Sequence, residues 1–408
     1  MPTPISPKAT AKKSRNPISD LQHLSRLAVE ATQGVTGVVE RMHHTITKVP
    51  FIFGESPKGS TGGITGLVYK SIQAISGLVG SSIDAVLGQI APLIGNTQSL
   101  PEQEALVSAL NGVLGDYLVQ SKNPLAIQMH LCRNGQRIEP SPQKILEALS
   151  QASSKLLILV HGSSMNDLQW SRDGHDHGAA LEQDLGYCAL YLNYNSGLHI
   201  SQNGRLLAEL LEEFLKNWPV PIEQIVFLGH SMGGLVCRSA CHIAKIEGFS
   251  WLGRLRSMVF LGSPHHGAPL ERGGAWVDLA LGLSPYSAPI AKLAKIRSAG
   301  VTDLRFGYVR DEDWQEGDRF EHHADRRKPL PLPEEVACYA IAATSAASLS
   351  EQMPGDGLVP VDSALGRHSR PEMSLLIPEE RLWIGFGMKH LDLLSRPEVY
   401  EVLKGWLS

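Results

Sequence analysis

Three short segments carry side chains that could act together as nucleophile, acid and base. Gly229-His230-Ser231-Met232-Gly233-Gly234 has the form Gly-x-Ser-x-Gly and directly follows the apolar run Ile225-Val226-Phe227-Leu228. A serine hydroxyl is a poor nucleophile until a base takes its proton. On a tight turn from strand to helix its oxygen is held out at the helix N-terminus, with glycines clearing the space beside it. Asp356 stands in the turn-forming Gly355-Asp356-Gly357-Leu358-Val359-Pro360, and His390 lies just past the strand-like Leu382–Phe386. In this chain order His390 is expected to deprotonate Ser231 and later protonate a leaving group, while Asp356 fixes the imidazole tautomer. Such chemistry is acyl transfer through an acyl-enzyme, and it needs no cofactor. A fourth segment, His161-Gly162-Ser163-Ser164, follows the apolar run Lys155–Val160. Its Ser163 N–H and the N–H of Met232 are the expected oxyanion hole.

The elements that must position these groups alternate along the chain. Strands are expected at Ala126–Leu131, Leu156–Val160, Cys188–Asn193, Ile225–Leu228, Met258–Leu261, Val336–Ala343 and Leu382–Phe386, with helices including Arg205–Asn217 and Met232–Ile246 between them. That alternation predicts an α/β fold: a mostly parallel sheet with helices on both faces, over about residues 121–408. No strand pattern occurs between Gly267 and Pro333, so an insertion is expected at about 268–333. Its first half, Ala275–Ala299, is apolar and helical. Its second half carries the charged runs Arg310–Asp313 and Arg319–Arg327, expected to be solvated. As a cap it would shape an acyl pocket.

Val160-His161-Gly162, Gly229–Gly234, Gly262-Ser263-Pro264-His265-His266-Gly267-Ala268 and Asp356-Gly357-Leu358-Val359-Pro360 resemble the corresponding segments of lipase-like α/β-hydrolases. More narrowly, they resemble the group related to the GPI inositol-deacylase and to bacterial triacylglycerol lipases. The resemblance covers about residues 125–408. It implies the α/β-hydrolase fold and hydrolysis of a carboxylic ester, with a fatty acyl group and hence a lipid substrate. The fully hydrophobic lid helix of many true lipases is not evident. A thioesterase or an acyltransferase would use the same triad. A reading of another class is a non-catalytic scaffold that recruits a partner or a membrane.

The remaining residues bound these readings. Hydrophobic residues make up 43% and charged residues 19% of 408, enough for a substantial core, and a net charge of −4 implies neither nucleic acid nor an anionic membrane. Five cysteines without CxxC spacing point to a reducing compartment. Residues 1–17 lack an apolar signal region and are expected to be a disordered tail, so a cytoplasmic protein is expected. Residues 18–120 show helical spacing in three stretches, the last at 101–119. The uncharged run Ser71–Ile83 falls short of the ~20 residues that span a bilayer. A packed helical hairpin is expected there, with peripheral membrane contact through residues 64–95 as the alternative. His175, His177, His322 and His323 are adjacent or alternate rather than spaced i, i+4, so no metal site is expected. His265, His266 and Trp170 are candidate walls of a substrate pocket, and His230 is expected to pack beneath the turn.

Overall fold

Helix α1 (Pro101–Gln120) is followed by the hairpin strands β1 (His130–Arg133) and β2 (Gln136–Arg137) and by α2 (Pro142–Ala148). Strands and helices then alternate: β3 (Lys155–Val160), α3 (His177–Leu185), β4 (Cys188–Asn193), α4 (Ile200–Lys216), β5 (Gln224–His230), α5 (Met232–Glu247) and β6 (Leu255–Leu261). Beyond them come α6 (Ala299–Asp303), β7 (Ala337–Thr344), α7 (Val361–Ala364), β8 (Leu382–Phe386) and α8 (Pro397–Leu407). The computed structural model describes residues 101–149, 152–268, 298–315, 324–348 and 354–408. The expected tail, the helical stretches before residue 95 with the 64–95 segment, and residues 269–297 of the insertion lie outside them.

One sheet runs in the order β2-β1-β4-β3-β5-β6-β7-β8. From β4 to β8 every pairing is parallel, and β1 joins β4 antiparallel, with β2 outside it at the edge. The composition of the central strands explains this. β4 is buried at every residue, and β3 and β5 at every residue but the first, because parallel strands are covered on both faces and so read as unbroken apolar runs. The covering helices read differently. α4 is amphipathic, burying Leu207, Leu211 and Phe214. α5 is buried at each position from Met232 to Cys241, as an apolar helix inside a domain must be. All five cysteines are free and buried, Cys237 and Cys241 among them on α5.

Three details depart from the sequence expectations. The first strand is not at Ala126–Leu131 but at His130–Arg133, and it returns at once as β2. Asn134 and Gly135 make that turn with φ of 51° and 72°, the positive pair that two-residue hairpins require. The helix expected at Arg205 starts at Ile200. The charged runs are not simply solvated. Asp313 accepts from the N–H groups of Val309 and Arg310, and its side chain is 3% exposed. Arg327 is buried, pairs with Asp325, and donates to the carbonyls of His265 and Gly307. A charge placed beside carbonyls and an opposite charge can be buried, and sequence sign alone does not reveal such partners.

Helix α1, grouped above with the N-terminal helices, belongs to the compact unit Leu100–Ser408. No described helix is long and apolar enough to cross a membrane.

Candidate active site

Ser231 sits between β5 and α5 with φ 54° and ψ −124°. L-residues avoid this region at a cost of roughly 1–3 kcal/mol, so the surroundings must impose it. The Ser231 N–H is tied to the Leu261 carbonyl at 2.8 Å. Behind it, the first turn of α5 presses on the end of β3. A Cβ on Gly233 would strike the Val160 carbonyl and stand 2.7 Å from that of His161. Glycine is the residue that permits this approach. His230 packs within the elbow, its ring 4.8 Å from that of His390 and edge-on to Trp170. Burial first, then the neighbouring His390, holds its pKa well below the usual value.

Asp356 and His390 come from the C-terminal ends of β7 and β8, the end of the sheet at which β5 delivers Ser231. His390 Nδ1 donates to Asp356 Oδ2 at 2.7 Å, and both side chains are buried. Asp356 Oδ1 accepts from the N–H groups of Leu358 and Val359 at 2.9 and 2.8 Å. With Nδ1 committed to the carboxylate, His390 Nε2 is left buried and without a hydrogen bond among the described residues. That leaves Nε2 as the ring nitrogen not engaged by the carboxylate.

The turn after β3 lies directly against the nucleophile: a Cβ on Gly162 would be 3.0 Å from Ser231 Cβ. Met232 is the first residue of α5, where an N–H has no intrahelical acceptor. The β3 turn is anchored on either side of Gly162 and Ser163. Ser164 donates its N–H to Ser196 Oγ at 2.9 Å, and Tyr194 donates its hydroxyl to the His161 carbonyl.

The pocket candidates separate. His266 lines a cavity of about 470 Å³ with Asp362, Ser363, Arg367 and His368. His265 is fully buried, its Nδ1 3.4 Å from an Arg238 guanidinium nitrogen. Trp170 is also fully buried, in the apolar core with Tyr191, Met388 and Leu393, so it supports the elbow from beneath with no face open to a ligand. His177 donates through Nε2 to the Leu393 carbonyl at 2.9 Å and faces His175 at the same distance through Nδ1. No group of three or more potential metal ligands occurs among the described residues. His322 and His323 lie outside them.

A mostly parallel sheet with a strained serine turn at its centre and an Asp–His pair at the same end is the arrangement of an α/β-hydrolase fold. Residues 153–327 match the family model of the PGAP1-like alpha/beta domain. Among solved structures, the chain is similar to lipase BlEst2 of Bacillus licheniformis in its mature form. It is 16% identical, with 69% of this chain and 98% of that one covered and a TM-score of 0.42. It is similar as well to a lipase-esterase related protein of Clostridium acetobutylicum (15% identity, 68% and 99% covered, TM-score 0.37). Lipase B of Aspergillus fumigatus is 11% identical, with 82% and 83% covered and a TM-score of 0.39. No curated protein matches the chain in sequence.

Proposed function

We propose that the protein is a serine carboxylic-ester hydrolase whose acyl-enzyme forms on Ser231. The observation that carries this reading is the buried His390–Asp356 pair, with Nε2 left free of any hydrogen bond among the described residues, at the end of the sheet where Ser231 is held in a strained turn. Ser231 Oγ attacks the ester carbonyl carbon as its proton passes to His390 Nε2. The carbonyl oxygen becomes an oxyanion facing the N–H groups of Ser163 and Met232, each worth roughly 3–4 kcal/mol to the transition state. Collapse breaks the bond to the alkoxy oxygen, which leaves with the proton from His390. Water then gives a proton to His390 and attacks the acyl group, releasing the acid and restoring Ser231.

The test is hydrolysis of p-nitrophenyl esters from acetate to palmitate by the full chain and by Ser231→Ala, with fluorophosphonate labelling of both. Hydrolysis and labelling in the unchanged chain, with both abolished by Ser231→Ala, are expected. Failure of the unchanged chain in both assays overturns the proposal.

A further inference from the structure

Helix α1 is a core helix: each residue from Ser108 to Gly115 is buried. What buries this stretch is the set of loops at the C-terminal end of the sheet. Asn195, just past β4, donates to the Gly115 carbonyl at 2.9 Å, and Ser298, within the insertion, donates to the Gly112 carbonyl at 2.6 Å. A close approach is also made to the turn after β3. A Cβ on Gly112 would land on Ser164 Oγ and lie 2.8 Å from Ser164 Cα.

Ser164 needs such a neighbour. Its φ is 61°, in the left-handed region that serine does not prefer. Two contacts fix it there: Ser196 Oγ takes its N–H, and α1 closes over its side chain at Gly112. Ser164 directly follows Ser163, so the clamp on Ser164 bears on the turn that carries Ser163.

We propose that α1 positions the oxyanion turn, with Gly112 and Ser164 as positioning residues that touch no substrate. The proposal rests on the hydrolase reading above. The helix would hold the Ser163 N–H where the oxyanion forms, a donor whose value depends on geometry fixed before the reaction begins. A misplacement of about 1 Å in such a group costs on the order of a hundredfold in rate.

The experiment uses the full chain and p-nitrophenyl butyrate, with kcat referred to the fraction of Ser231 that a fluorophosphonate titrates. Gly112→Ala is expected to lower kcat by roughly thirty- to a hundredfold while KM moves less than about twofold. Adding Ser164→Gly removes the Oγ and Cβ that the new methyl strikes, leaving the 2.8 Å approach to the Cα of residue 164, and gives that backbone the freedom to shift, so kcat should recover in part, by about threefold or more over Gly112→Ala alone. A helix that served stability alone would lower the folded fraction without this kcat-specific loss and rescue. Where Gly112→Ala does not fold, Ser196→Ala removes the acceptor of the Ser164 N–H without adding bulk. It is expected to cut kcat by about tenfold at unchanged KM. Unchanged kcat in the variant that folds overturns the proposal. If the unchanged chain neither turns over ester nor takes the label, the hydrolase reading falls and this inference with it. If the unchanged chain reacts and Gly112→Ala matches it, only the role of α1 falls.

Discussion

Asp356 accepts three hydrogen bonds, two from backbone N–H groups on Oδ1 and one from His390 on Oδ2. This division decides what an amide does at that position. Leu358 and Val359 can only donate, so in Asp356→Asn the single amide oxygen turns to them and the NH2 group faces His390. The imidazole must then accept at Nδ1 and carry its proton on Nε2, where it cannot relieve Ser231 of its own. Asp356→Asn should therefore reduce kcat by about four orders of magnitude near neutral pH, with stability little changed because the shape is kept. Steady-state hydrolysis with a urea unfolding curve checks both halves, and an active Asp356→Asn would remove this residue from the mechanism. Chain order and the Gly-Asp-Gly turn offered Asp356 in the sequence as the acid, and its caps of Leu358 and Val359 are local. Its contact with His390 spans 34 residues and becomes visible only once β7 and β8 lie side by side.

At the scale of elements, His390 is carried by a short 3-10 turn, His390–Leu394, and α3 pins that turn from behind. His177 is the first residue of α3. The Leu393 carbonyl can only accept, so His177 Nε2 carries the proton, and Nδ1 accepts from His175. His177→Ala removes both bonds and strands a buried carbonyl, a loss of about 2–4 kcal/mol once the cavity is counted. Urea unfolding reads that loss, and a midpoint equal to that of the unchanged chain would show the pin to be dispensable. Spacing alone offered His177 as one half of a His-x-His pair and gave no hint of this role, because its partner lies 216 residues away. What the sequence does carry at this scale is local. Unbroken apolar runs mark the parallel strands, and glycines around Ser231 mark a strand that must turn at once into a helix. Asn134-Gly135 announces the hairpin that an apolar-run search misplaces toward Ala126. The place of α1 is not local. Ser108–Gly115 is buried, and Ser164, Asn195 and Ser298, which meet it, arrive later in the chain, so its own pattern shows a helix but not what the helix holds.

Across the whole molecule, the described core encloses several histidines that burial keeps neutral. His161 and His177 have pKa values lowered to about 4, and His266 to about 3, with desolvation the first cause in each. His230 and His265 are pushed well below the ordinary value, again by burial first. The unfolded chain takes up protons on these rings near pH 6.5 and the folded one does not. Their contribution to stability is thus complete above about pH 6.5 and declines as pH falls toward 4, the window in which the unfolded state binds more protons. Each ring fully displaced to pKa 4 accounts for on the order of 3 kcal/mol by the bottom of that window, against a total stability of about 5–15 kcal/mol for a domain. The urea midpoint should accordingly fall steeply between pH 7 and pH 5. In His161→Gln, where Tyr194 and the Gly162 carbonyl keep a polar neighbour, the fall should be shallower. A midpoint that stays level from pH 7 to pH 5 would mean that these rings are hydrated or ionised in the folded protein. The same burial links stability to the site, since His230 and His161 flank the elbow and the β3 turn. In the folded protein these rings stay neutral until pH falls to about 4 or below, so in mild acid they reach the two turns that hold Ser231 and Ser163 only through unfolding, and any loss of fluorophosphonate labelling that they cause should follow the unfolded fraction and not precede it.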